Sequence, residues 1–584
     1  MPAQIARVSK VSRRLRCANV AVSATGRRAS RVDFFHTTVV TAVVLAALAF
    51  FSPAAPATAA DTYTRQPGVD VRHYVFRLEL SDASPQITGE ATVDVAFTRD
   101  GIDKVSLDFA SSSGGKGMTV TAVTSGGQPV RYVHQNNVLT LPLPAPSTAG
   151  RHAVFTIAYF GVPAGGLRIL PNKYGEWSAF SENWPNRARE WLPMIDHPYD
   201  KATSEFIVTT GAKYQVVANG LLQEETDLGD GRRRTHWKQS VPIASWLNAV
   251  GVEQFAVFHA GPIGAVKGVE LQTWVAHQDA EAGRVYFETP ARQALEFFSE
   301  RIGPYPYEKL ANVAAAGLSG GTEHASAIFY GEKEVRATPA TNLVAHEIAH
   351  QWFGDSVTER DWDDVWLSEG FATYFTLLFT EHYSGRDAFV AGLRASRTRA
   401  IATEKSLPGI SVIHHNLSDM SKVLNQLVYQ KAGWVLHMLR GVIGTDQFWT
   451  GIREYYRRYR DGHASTDDFR GVMEEASRQD LGWFFDQWLR RPTSPSFDGG
   501  WRYDAKSKQI EVEITQTQPG EPYRLPFEIG ITIDGQRPST RTERVEMKTK
   551  RSVFTIAADT EPSAVTFDPN TWLLMDQITF VKRP

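Results

Sequence analysis

Thiols are nearly missing from this chain. Its 584 residues include a single cysteine, Cys17, which lies ahead of an apolar run expected to be removed. The remaining protein then has no disulfide, no thiolate metal ligand and no cysteine nucleophile. A small secreted domain would need staples, but a chain this long can bury enough apolar surface without them. An excess of charge of one sign is missing too. Lys+Arg 62 against Asp+Glu 64 leaves a net charge of −2, so no basic field exists to hold nucleic acid. The body of the chain also lacks apolar runs of the ~20 residues that a membrane span needs. No internal repeat is present.

What is there reads as folded and multidomain. Apolar content of 42% with 22% charged residues is globular composition. Fifteen Trp and thirty-one Phe stock several cores, and the length suits about three to four domains. At the N-terminus, Arg27, Arg28 and Arg31 precede HTTVVTAVVLAALAFF at 36–51, and SPAAPATAAD follows with Ala57, Ala59 and Ala60. A positive segment, a short apolar core and small residues predict a signal peptide over 1–60. The protein is then expected in the periplasm or outside the cell, with no membrane attachment after signal removal. An uncleaved anchor is the alternative.

Residues 61–255 read as a β-domain. VRHYVFRLEL, EATVDVAFTR, KVSLDFA, VLTLPL and HAVFTIAYFG alternate apolar and polar residues between turn clusters, which predicts antiparallel pairing. From about 281 the period becomes helical, as in EAGRVYFETPARQALEFFSERIG, and helical patterns run to about 490. RRPTSPSFDGG reads as a linker. QIEVEITQTQ, LPFEIGITIDG, RVEMKTK and SVFTIAAD then return to strand alternation. The expected fold class is α+β multidomain, with 256–492 as the mostly helical domain and 493–584 as a small C-terminal β-domain.

The chemistry concentrates in NLVAHEIAHQWFG. On a helix, positions i and i+4 share a face, so His346 and His350 can close on one metal ion. Zinc suits imidazole nitrogen, and a catalytic zinc keeps one position open beside three protein ligands. Glu369, nineteen residues after His350 in DVWLSEGFATYF, begins the next helical pattern and can return as the third ligand. Glu347 is turned about 100° from His346, beside the metal and not at it. There it can act as general base on a metal-bound water. Asp364 either orients a ligand imidazole or caps the helix that carries Glu369.

H-E-x-x-H followed by eighteen residues and Glu resembles the gluzincin zinc metallopeptidases, and AHEIAHQWFGDSV with DDVWLSEGFATYF resembles the aminopeptidase N family. RAREWLPMIDHPYDKAT, SWLNAVGVEQF, FFSERIGPYPYEKL and VYQKAGWVLHMLR extend the resemblance over about 61 to 584. It implies an N-terminal β-domain, a thermolysin-like catalytic domain holding one Zn2+, and a β-sandwich. It also implies roles. Gly320, Gly321, Thr322, Glu323 and His324 occupy the five positions that lie along the substrate as an edge strand. Glu323 is the counterpart of the carboxylate that binds the free α-amino group, and Tyr429 of the tyrosine that hydrogen-bonds the oxyanion. The implied activity is removal of N-terminal residues from peptides with a free N-terminus.

The pattern departs from the family in four places. Thr322 replaces Met, and His324 replaces Asn with an imidazole that can titrate near neutrality. Trp184 stands by counting where a second contact to the amine is usual, with Glu182 nearby. The chain stops after the small β-domain, without the large helical domain of many relatives, which predicts a more open cleft. Three further readings are carried: a zinc endopeptidase with a non-functional amine anchor, epoxide hydrolysis, and a non-catalytic exported peptide-binding protein.

Overall fold

The computed structural model describes residues 61–263, 266–413, 417–534 and 538–584, so the expected signal peptide over 1–60 lies outside the described residues. In VDVRHYVFRLELS the alternation becomes a strand, Val69–Ser81, that buries Val69, Val71, Tyr74, Phe76, Leu78 and Leu80. It is central in an eight-stranded sheet ordered Leu221–Asp227, Arg232–Ile243, Ala202–Gly211, Val69–Ser81, Ser84–Phe97, His152–Val162, Gly117–Ser125, Gln128–Pro129. Every neighbouring pair is antiparallel but one. Val69–Ser81 and Ala202–Gly211 run parallel, from His73↔Thr203 to Glu79↔Thr209, which corrects the purely antiparallel expectation. A parallel pair needs a long crossover, and the chain between Ser81 and Ala202 supplies it.

A second, five-stranded sheet runs Phe255–Ile263, Val266–Ala276, Lys309–Ala315, Ala327–Gly331, Gly321–Thr322. The sequence pattern did not announce this sheet, because Lys309–Ala315 is buried on both faces and shows no alternation. Ala311, Val313 and Ala315 pack with the N-terminal strands, while Leu310 and Ala314 pack with the helices. The helix α1 (Ala280–Arg301) makes the crossover between the parallel strands Val266–Ala276 and Lys309–Ala315.

The helices that follow carry the chemistry. They are α2 (Thr341–His350), α3 (Trp366–Ser406, broken at Gly385 with φ 85°) and α4 (Ala432–Ile443). A single π-helical turn, Leu427–Lys431, leads into α4. Such turns are frequent at functional sites, and this one contains Tyr429. Among the described residues no helix is long and apolar enough to cross a membrane.

A sandwich of four and three strands ends the described residues, and no large helical bundle follows it there. The segment expected to be a linker is only partly one. Phe497–Asp504 is a strand between Gln509–Gln516 and Ile578–Lys582. Gly499 and Gly500 permit this, since a Cβ on either would collide with the carbonyl of Glu513 or Val581. The residues before the strand are tied down as well. Ser494 donates to Glu404 from both its N and its Oγ, at 2.9 and 2.8 Å, and the buried Lys431 Nζ lies 2.8 Å from the same carboxylate.

Candidate metal centre

His346 and His350 face the same way on α2, with Nε2 atoms 3.2 Å apart. Glu369, on the first turn of α3, brings Oε2 to 3.5 Å from His346 Nε2 and 3.3 Å from His350 Nε2. Three ligand atoms about 2.05 Å from a zinc ion in tetrahedral geometry are about 3.3 Å apart, so the three separations fit that ion. Glu369 Oε2 is buried and has no hydrogen-bond partner, as an atom reserved for a cation would be. The outer ring nitrogen of His350 is held in turn. Nδ1 lies 3.2 Å from the Phe353 carbonyl oxygen and 3.0 Å from Ser368 Oγ. An Nδ1–H donated to the carbonyl leaves the Nε2 lone pair facing the cluster.

Burial dominates the electrostatics of this site. It pushes the carboxyl of Glu369 up, but the imidazoles of His350 and His346 outweigh it and hold the group at about 2. Burial and then the Glu323 carboxylate push Glu347 well above the usual carboxylate range. Glu347 also lies near His350, whose imidazole lowers it, but that pull is outweighed. A second cluster of ligand-type atoms, from Glu323, Glu347 and His350, lies on the same side of α2.

The edge strand expected from 320–324 is present. Gly321 pairs with Tyr330 and Thr322 with Phe329, antiparallel, and Gly320 takes φ +71°. A Cβ at Gly321 would collide with the carboxyl of Glu347, so glycine here lets the strand pass directly over that side chain. Glu323 is buried beside the ligands, with Oε1 4.0 Å from His350 Nδ1 and without a hydrogen-bond partner. Burial raises its pKa, with Glu369 adding to the rise.

Three expectations change. His324 is 0% exposed and packs edge-on against Phe329. Its ring nitrogens approach the backbone of Ser181 and Trp246 without a normal hydrogen bond. Burial lowers its pKa to about 4, so it is a neutral, enclosed side chain and not a group that titrates near neutrality. Asp364 serves neither purpose expected of it. Its carboxylate accepts from Thr466 Oγ1 at 2.7 Å and Thr466 N at 3.3 Å, fastening the start of a different helix, Thr466–Ser477. Glu182 is taken by Arg168 at 2.6 Å and by Arg187, while Trp184 packs edge-on against Trp246 and Trp362.

Tyr429 joins the site, and its hydroxyl donates to Glu369 Oε1 at 2.7 Å. One positioning residue was not found from sequence. Gln351 donates to the Glu323 carbonyl at 3.0 Å and to Asp355 Oδ2 at 2.8 Å, and accepts from Ser326 N at 2.9 Å. It fixes the backbone on both sides of His324. Only its place next to His350 could have pointed to it.

The peptidase family M1 domain model matches residues 287–488, and the peptidase M1 N-terminal domain model matches 71–247. Glutamyl aminopeptidase of Bitis rhinoceros is 28% identical over 342 residues, covering 55% of this chain and 35% of that protein. The tricorn protease-interacting factor F2 of Thermoplasma acidophilum is 24% identical over 451 residues, covering 74% of this chain and 55% of that protein. The chain therefore spans well under two thirds of either relative. Among solved structures, an M1 zinc metallopeptidase from Deinococcus radiodurans superposes with a TM-score of 0.64 at 26% identity, over 74% of this chain and 96% of that chain. A mutant of that metallopeptidase, with the same values, is bound to a Tyr-Ser-Ala substrate.

Proposed function

The chain belongs to peptidase family M1, and on that footing we propose that it is a zinc-dependent aminopeptidase. The observation that carries the reading is the spacing of His346 Nε2, His350 Nε2 and Glu369 Oε2, with Glu347 and Glu323 on the same side of α2. His346, His350 and Glu369 would hold one Zn2+. Bound there, the ion supplies Lewis-acid polarisation of a carbonyl and acidification of a water. Glu347 takes the proton of the attacking water and passes it to the leaving amine. Glu323 receives the substrate α-ammonium, which counts one residue in from the N-terminus. The edge strand at Gly321 and Thr322 offers backbone groups to an extended peptide. Tyr429 donates to the oxygen that gains charge, its hydroxyl being at hand on Glu369.

One observation favours a second reading, the endopeptidase. Glu182 is neutralised by two arginines, which leaves Glu323 as the carboxylate available to an amine. Hydrolysis of peptides with free or acetylated N-termini separates the two readings. Stepwise loss of single N-terminal residues from free peptides only, abolished in Glu323→Gln, is expected. Internal cuts in both sets would make the protein an endopeptidase. Bound zinc with no cleavage at all would favour a peptide-binding protein.

Export belongs to the same proposal. Its support is the Arg27–Arg31 segment, the apolar run at 36–51 and the small residues after it. Recovery of the activity in the periplasm or medium tests it, and recovery with membranes would favour an uncleaved anchor.

A further inference from the structure

Ala57, Ala59 and Ala60 offer a signal peptidase more than one place to cut. The surroundings of Asp61 separate them. Asp61 is 8% exposed. Its Oδ2 lies 2.7 Å from Nε2 of the buried His197 and accepts from Trp362 N at 3.4 Å. Its Oδ1 accepts from Tyr63 N at 3.0 Å and Arg65 Nη1 at 3.2 Å. Its own backbone N donates to Asp361 Oδ1 at 3.3 Å. Asp361 also accepts from Arg65 Nη2 at 3.0 Å and from Asp363 N at 3.2 Å, capping the turn Trp362–Asp364 just ahead of α3. Two carboxylates thus meet with one guanidinium and one imidazole. The donor facing Asp361 is a neutral amide so long as any residue precedes Asp61. It becomes a cation only if the chain starts there.

We propose that the leader is removed by hydrolysis of the Ala60–Asp61 bond, and that the new Asp61 ammonium pairs with Asp361 to fasten the mature N-terminus against the segment leading into the Glu369 helix. This rests on the export reading. In the cut, catalysed by a signal peptidase, the oxygen of water bonds to the Ala60 carbonyl carbon and the C–N bond breaks. Both water protons end on nitrogen, leaving an Ala60 carboxylate and an Asp61 ammonium. Cutting after Ala57 or Ala59, the two Ala-x-Ala positions, would keep residues in front of Asp61 and leave the amide neutral, whereas the cut after Ala60 has Thr58 in place of the first alanine. Asp61 lines a cavity of about 780 Å³.

The pairing carries a pH signature. An α-amine ordinarily titrates at about 7.7–8.0. The carboxylates of Asp361 and Asp61 raise it, the Arg65 guanidinium opposes them, and His197, Tyr63, Asp108 and Arg189 stand behind. A raised value gives stability that is present below the unfolded pKa and lost as pH rises through the folded one.

The first test is the intact mass of the mature protein recovered after export of the full chain. A chain beginning at Asp61 is expected. A mature chain beginning at any other residue overturns the inference and leaves export standing; a chain that keeps 1–60 and is recovered with membranes overturns it in favour of the uncleaved anchor, and a chain that keeps 1–60 and stays in the cytoplasm overturns export as well. The second test compares mature protein starting at Asp61 with protein carrying one Gly ahead of it, each with and without Asp361→Asn. The first should melt about 2 °C higher at pH 7, the gap should close by pH 10, and Asp361→Asn should remove it. Equal melting of the two chains at pH 7 would overturn the pairing.

Discussion

Two walls meet at the metal centre, and they are held differently. The helical wall carries His346, Glu347, His350 and Glu369. Its contacts join residues close in sequence, such as His346 with His350 and Ser368 with His350. The sheet wall carries Gly320 to His324. Its contacts come from far away. Asn219 Nδ2 donates to the Ala325 carbonyl at 2.6 Å, Ser326 Oγ accepts from Gly220 N at 2.7 Å, and Gln351 holds the Glu323 carbonyl. One wall places its groups mainly through two helices that follow each other in sequence, with Tyr429 reaching Glu369 from further along the chain. The other presents the peptide, and its shape depends on the N-terminal β-domain being docked.

Glu347→Ala should give the largest effect, because it removes the proton carrier and leaves the ligands. A fall in kcat of about 10³- to 10⁴-fold is expected, with zinc content unchanged by elemental analysis. Retained turnover would take Glu347 out of the mechanism. Gly321→Ala tests whether the walls are independent. Its Cβ collides with the Glu347 carboxyl, so a change on the sheet wall should act on the helical one. Displacing a reacting group by about 1 Å costs about 10² in rate. That loss should appear in kcat, again with zinc content intact. Unchanged kcat would mean that the strand yields and the walls move separately.

The same difference explains what could be read from sequence. His346, His350, Glu347 and Glu369 follow from the helical repeat and one spacing, and the structure brings their side chains together. The alternating strands and the long helices were legible for a similar reason, since each pattern reports its own burial. Lys309–Ala315 was hidden because burial on both faces erases alternation. Gln351, and the engagement of Glu182 by Arg168 and Arg187, were hidden because they arise from contacts between segments that no local pattern joins. Asp364 shows the same limit. Its position before α3 suggested a service to α3 or to a ligand, but its partner, Thr466, lies about a hundred residues on.

His324 gives the smallest expected effect on activity and the clearest reading of the sheet wall. Burial lowers its pKa to about 4, whereas in the unfolded chain it titrates near 6.5. Between those values the unfolded chain takes up a proton that the native protein refuses. Stability therefore falls as pH falls from about 6.5, by up to about 3 kcal/mol near pH 4. Asn cannot titrate, so His324→Asn should lose less melting temperature than the unmodified protein between pH 7 and pH 4.5. His437 and His463, each lowered to about 3 mainly by burial, remain in both proteins, so acid sensitivity is reduced and not abolished. In activity, the substitution should change kcat/KM by less than about threefold, with no shift of its pH profile between 6 and 8. A displaced acid limb would instead place the imidazole against substrate and return His324 to the cleft.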